Sequence, residues 1–107
     1  MEPVPFDKRS GKIWFNGQFV DWSDVKIHVL SHGLHYASCV FEGERVYDSE
    51  IFKLNEHTER LFHSASRMGF KIPYSQDDIN KSCIDTVAIQ KVKNGYVRPV
   101  AWRCSEM

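Results

Sequence analysis

Net charge is the first thing this sequence lacks: its 14 Lys and Arg are matched by 14 Asp and Glu. A balanced chain has no electrostatic footprint for nucleic acid or for an acidic membrane surface, so neither partner is expected. Long apolar runs are missing as well, and none approaches the roughly 20 residues that span a bilayer. The opening stretch MEPVPFDKRS has no apolar core of a secretory signal. Cysteine is scarce. Cys39, Cys83 and Cys104 are odd in number, widely spaced and without a Cys-x-x-Cys pair, which excludes a zinc ribbon or thioredoxin-like motif. The expectation is a cytoplasmic protein with reduced thiols, each cysteine serving as a small buried apolar residue. Gly-x-Ser-x-Gly, the phosphate-loop pattern and Gly-x-Gly-x-x-Gly are all absent. No repeat or low-complexity segment occurs.

What remains is ordinary globular composition. The 107 residues are 42% hydrophobic and 26% charged, which predicts one domain or part of one. Residues 1–11, with Pro3 and Pro5, read as a flexible arm, and 12–107 as the domain. Asn16-Gly17 between two apolar runs, 13–15 and 18–20, is a strong hairpin signal, because both turn positions need positive φ. Residues 21–24 read as a turn and 26–30 as a short strand. The segment 31–38, SHGLHYAS, has no period and reads as loop. Residues 40–47 and 51–54 predict a second hairpin.

Two helices follow. Asn55 is a suitable N-cap for a helix over 55–68, with Thr58, Leu61, Phe62, Ala65 and Met68 at helical spacing and Gly69 beyond its end. Ser75 and Asp78 resemble a capping box that opens a second helix. Ile79, Cys83, Ile84, Val87 and Ala88 form its apolar face, and 91–95 its end. Residues 96–102 read as a strand in which Pro99 argues for an edge or a bulge. Strands, two helices and a final strand predict an α+β fold with a mostly antiparallel sheet and the helices packed on it. That last strand has no sequential partner, and an open edge invites self-association. The chain is therefore expected to end before its domain does.

Several residues are candidates for chemistry. His28, His32 and His35 are close in sequence, but no acidic or thiol ligand stands at a metal-binding spacing, so no metal site is expected. His57 and His63 read as solvated or capped helix residues. Arg60 borders the apolar face of its helix. It could reach inward and grip a phosphate or carboxylate with its fork, or pair on the surface with Glu56 one turn earlier, and spacing favours the surface pair. Tyr96 and Arg98 lie two apart on a strand and so share a face, where a phenol and a guanidinium can hold an anion or simply meet water. Tyr36 and Phe41 default to core packing.

Taken together, the segments 13–17 (IWFNG), 28–36 (HVLSHGLHY) and 40–45 (VFEGER), with Glu56-His57, Arg60-Leu61 and Tyr96-Val97-Arg98-Pro99, resemble the N-terminal small domain of branched-chain amino-acid aminotransferases. These are fold-type IV enzymes that use pyridoxal phosphate. The resemblance runs from about residue 12 to the end. It implies that Arg60 binds the cofactor phosphate, against the surface pair that spacing favours. It implies further that Tyr96 and Arg98 help hold substrate carboxylates, that Phe41 lines a pocket for a branched apolar side chain, and that Tyr36 reaches the pocket of a partner subunit in a homo-oligomer.

The family's larger C-terminal domain carries the lysine that forms the Schiff base with the cofactor. None of the eight lysines here stands at that position, so the resemblance implies no catalytic residue in this chain. The expectation is an N-terminal fragment of an enzyme that moves an amino group between leucine, isoleucine or valine and 2-oxoglutarate. Alone it would be inactive and would not hold pyridoxal phosphate stably. The alternatives are one half of a split enzyme, its lysine-bearing domain supplied as a separate partner, or a non-catalytic, self-associating structural module.

Overall fold

The computed structural model describes residues 3–105. Residues 1–2 of the expected arm and 106–107 of the expected domain lie outside the described residues. Turn chemistry organises the first part of the chain. Strands β1 (Lys12–Phe15) and β2 (Gln18–Asp21) pair antiparallel, Phe15 opposite Gln18. Asn16 and Gly17 between them both have positive φ, 48° and 94°, as a tight hairpin turn requires. This hairpin is tied to the rest of the domain by Lys12 N–H, which donates to Gln90 Oε1 at 2.7 Å, and by an edge-on contact between the Trp14 and Tyr74 rings.

No strand forms over 26–30, and the segment expected to be loop contains helix α1 (His32–Tyr36). The reason is tertiary. The first helical N–H groups donate outside the helix, His32 to the Cys104 carbonyl and Gly33 to that of Arg103. Ala37 ends the helix in the left-handed region, with φ 57°. A side chain on Gly33 would press on Trp102 and on the Ser38 carbonyl, so the glycine is what admits the close approach. None of this has a local period to detect.

The second hairpin forms as expected, but its pieces are shorter. Strands β3 (Cys39–Phe41), β4 (Glu44–Tyr47) and β5 (Glu50–Ile51) are followed by helix α2 (Leu54–Arg67). The final strand is also divided, into β6 (Gly95–Val97) and β7 (Val100–Trp102). The two breaks face each other. Phe41 stands opposite Val100 and Glu44 opposite Val97, so Glu42 and Gly43 face Pro99 and Arg98 with no residue inserted on either side. One antiparallel ribbon therefore runs through both pairs, held at the break by Glu42 N–H donating to the Pro99 carbonyl at 3.0 Å. Pro99 has no N–H to return, which accounts for the interruption. All strand pairings are antiparallel, and among the described residues β7 pairs only with β3.

Helix α2 departs from expectation at its start. Lys53, with φ 57°, occupies the cap position and supplies no side-chain cap. Asn55 instead accepts a hydrogen bond from Asn80 Nδ2 at 2.8 Å. Helix α3 (Gln76–Ile89) opens on the expected capping box, with Ser75 Oγ accepting from Asp78 N–H and the Asp78 carboxylate from Ser75 N–H. It ends at Gln90, before the expected 91–95 stop.

The core gathers Leu61 and Ala65 of α2, Ile79 and Cys83 of α3, and Ile72 between the helices, with Trp14, Val40 and Ala101 against it. Met68, Ile84 and Ala88, expected on apolar faces, are exposed. Ile84 and Ala88 fall off the stripe through Ile79, Cys83 and Val87, and Met68 sits at the C-cap of α2, beyond the packed turns. Ser75→Ala should lower stability by about 1 kcal/mol, measured by urea denaturation, because it removes the acceptor of the Asp78 N–H.

Candidate functional site

Alternation along the ribbon determines the site. Glu42, Glu44 and Val46 share one face with Val40, and all three are buried, while Phe41, Arg45 and Tyr47 face outward. Two carboxylates are thereby placed inside a chain of only 107 residues. Each must be compensated or made neutral.

Glu42 is compensated. It is 3% exposed and meets helix α2. Arg60 Nε donates to its two oxygens at 2.9 and 3.1 Å, Arg60 Nη2 to Oε1 at 2.8 Å, and His57 Nδ1 to Oε1 at 2.6 Å. His57 and Arg60 are one turn apart and so reach the same point. The Arg60 hydrogen bond, aided by His57, holds the Glu42 carboxyl below the usual carboxylate range against the effect of its burial. The same contact raises the guanidinium of Arg60. Glu56, which spacing offered as the partner of Arg60, pairs instead with Lys53. His57, expected to be solvated or capped, is a part of this cluster. His63 remains exposed.

Glu44 has no such partner. It is fully buried, and neither carboxylate oxygen has a hydrogen-bond partner among the described residues. Burial pushes it up to about 7, with nearby His57 opposing. The Cys83 thiol beside it is pushed up to about 12, first by burial and then by the Glu44 charge, so it is an unreactive buried thiol. Cys39, expected to be buried, is exposed because it lies on the outward side of β3.

On the outer face at the ribbon break, three of the sequence candidates come together. The guanidinium of Arg98 lies 4.1 Å from the centre of the Phe41 ring, and Arg98 Nε donates to Tyr96 Oη at 3.0 Å. The strand reading that put Tyr96 and Arg98 on one face thus holds across the break. Gly43 is what admits the phenol: a Cβ there would lie 2.7 Å from Tyr96 Oη. Phe41 and Tyr96 are half exposed rather than core residues. Arg60 lies on the other side of the ribbon: its partner Glu42 follows Phe41 and faces inward, and among the described residues no hydrogen bond joins Arg60 to the outer cluster.

Tyr36 stands apart on α1, exposed, with its ring against those of His32 and His35. The three early histidines are engaged separately: His28 Nδ1 with Leu30 N–H, His32 Nδ1 with Ser38 Oγ, His35 Nε2 with the Val29 carbonyl. Among the described residues no three metal-ligating side chains gather, and no helix is long and apolar enough to cross a membrane. A cavity of about 1030 Å³ opens between β1, α3 and the last strands. Tyr96 and Arg98 are among its lining residues, whereas Arg60, Phe41 and Tyr36 are not.

An anionic cofactor needs a fixed cation with donors still available. Arg60 fits this need, since its side chain is 67% exposed and Nη1 has no hydrogen-bond partner among the described residues. Sequence reasoning found Arg60 but missed Glu42 and Glu44. The available signal was the period of two that puts both in line with Val40 and Val46.

Comparison with known proteins bears on the family and the fold. Residues 39–107 match the family model described as amino-transferase class IV. A probable branched-chain-amino-acid aminotransferase of Rickettsia typhi is 47% identical over 84% of this chain and 31% of its own. The branched-chain-amino-acid aminotransferase of Pseudomonas aeruginosa is 45% identical over 92% of this chain and 33% of its own. The chain thus spans about a third of the length of these curated relatives. The crystal structure of a T.th. branched-chain amino acid aminotransferase, complexed with N-(5'-phosphopyridoxyl)-L-glutamate, superposes with a TM-score of 0.87 at 36% identity, over 92% of this chain and 35% of that one. The fold is that of the N-terminal domain of fold-type IV aminotransferases.

Glu44 gives this region a pH dependence of known sign. Its folded pKa of about 7 lies above its ordinary value, so the folded state holds the proton more tightly than the unfolded chain. Its contribution is therefore favourable below about pH 4.5 and is lost as pH rises through 7, to a total of about 3 kcal/mol. Glu44→Gln, which cannot ionise, should abolish that decline and be the more stable form at pH 8 by thermal or urea denaturation.

Proposed function

We propose that this chain, which belongs to the class IV amino-transferase family, is the small domain of a branched-chain aminotransferase. The complete protein would move an amino group between leucine, isoleucine or valine and 2-oxoglutarate. Pyridoxal phosphate, when bound, would supply the electron sink for bond-breaking at the amino acid's α-carbon. The observation that supports the reading is the ribbon break, where the buried Glu42 holds Arg60 on the inner side and Phe41, Tyr96 and Arg98 meet on the outer side.

Each residue has a role its chemistry suits. Arg60 offers the outward part of its guanidinium to the cofactor phosphate. Arg98, oriented by its hydrogen bond to Tyr96 Oη, receives a substrate carboxylate. Phe41 gives an apolar wall to the substrate side chain, and the guanidinium over its ring fixes the distance between apolar and charged contacts. Tyr36 is exposed among Ile27, Val29, Leu30 and Leu34, which are exposed as well. An apolar surface of this kind suits an interface between copies, and Tyr36 would there reach the pocket of a partner subunit. A cytoplasmic location is part of the same reading.

The lysine that anchors the cofactor belongs, by the family resemblance, to a larger domain outside these residues. This chain alone would then bind and orient but not catalyse, and would not retain pyridoxal phosphate. A lysine-bearing domain supplied as a separate polypeptide is the second reading; among the described residues β7 pairs only with β3, which leaves an edge that a strand of such a domain could take. The isolated chain should show neither turnover of leucine with 2-oxoglutarate nor a saturable absorbance change with pyridoxal phosphate. The natural gene product carrying this sequence, with any co-purifying subunit, should show both. Turnover by the isolated chain would contradict the assignment of catalysis to another domain. Absence of turnover in the natural product would contradict the enzyme reading.

A further inference from the structure

We propose that Glu42 positions Arg60 for anion binding. The buried carboxylate grips the Nε–Nη2 edge of the guanidinium and leaves Nη1 for the incoming anion. The inference rests on the reading of Arg60 as the anchor of a phosphate group.

The geometry supports this in three ways. First, the carboxylate is fixed from both sides. Its backbone N–H is tied to Pro99 across the ribbon, and its side chain is held by His57 and Arg60 on α2. Second, the grip is directional. Both Arg60 nitrogens that face Glu42 are consumed in three contacts of 2.8 to 3.1 Å, so the planar fork cannot rotate without breaking them. Third, the two groups differ in burial. Glu42 is 3% exposed and Arg60 67%, so the carboxylate lies behind the guanidinium relative to solvent. An anion arriving from solvent meets the cation first. A flexible surface arginine would have to be ordered by its ligand, whereas this one is ordered in advance.

The test compares affinity for pyridoxal phosphate with affinity for pyridoxal, the same ring without phosphate. It uses the natural protein carrying this sequence and equilibrium dialysis, so it does not depend on turnover. Arg60→Ala should collapse the preference for the phosphorylated ligand. Glu42→Gln should reduce that preference by about tenfold, leave pyridoxal affinity unchanged, and add nothing on the Arg60→Ala background. If Arg60→Ala collapses the preference but Glu42→Gln does not, the positioning role is wrong while the reading of Arg60 stands. An equal loss for both ligands would mean a purely structural role and would also overturn it. If Arg60→Ala leaves the preference intact, the reading of Arg60 fails and takes this inference with it. Should Glu42→Gln not fold, Glu42→Asp keeps the charge but shortens the reach. It should give a smaller fall in the same ratio, and an unchanged ratio would overturn the proposal.

Discussion

Placing the carboxylate of Glu42 on the inward face of the β3–β4 ribbon commits much of the rest of the domain. A buried charge needs a countercharge and hydrogen bonds close by. Helix α2 brings both, because His57 and Arg60 are one turn apart on the face turned to the ribbon. The contact sets where α2 lies against the sheet and which way Arg60 is directed. It also fixes the ribbon break, since the same residue donates its backbone N–H to Pro99. Phe41, Arg98 and Tyr96 meet on the outer side of that break. Core packing, helix placement and the surface cluster thus converge on one residue.

Two glutamates two residues apart show how environment separates identical side chains. Glu42 finds an arginine and stays ionised, held below the usual range. Glu44 finds the Cys83 thiol and no ion pair, and burial carries it to about 7. One contributes attraction as pH rises through the acid range, and the other withdraws stability as pH rises toward neutrality. Their opposite signs follow from position relative to α2 and not from any difference in the strand that carries them.

Much of the fold is legible in the sequence because its signals are local. Asn16-Gly17 demands a tight turn, Ser75 and Asp78 write a capping box, and the apolar spacing of Leu61, Ala65, Ile79 and Cys83 marks two helices against one core. The misses share a different origin. Helix α1 depends on carbonyls of Arg103 and Cys104, some 70 residues away, and nothing between 31 and 38 announces them. The division of 96–102 into β6 and β7 needed the facing break at Glu42-Gly43, although Pro99 hinted at it. Asn55 looked like a cap but serves Asn80, because Lys53 takes the cap position in the left-handed region. At the site, Tyr96, Arg98 and Phe41 were visible as residue types, and only the fold shows them in contact. Glu42 was hidden by its charge: a period of two through Val40 and Val46 placed it inside, against the ordinary expectation for a carboxylate.

The claim on which the account stands is that Glu42 and Arg60 act as one unit. A double-mutant cycle in this chain, with Glu42→Gln, Arg60→Met and the pair, read by urea denaturation, measures that directly. Strong coupling is the predicted result, with the double variant little less stable than the worse single one, because each substitution already removes the contact. Strict additivity of the two losses would mean that the groups do not hold each other, and would contradict it.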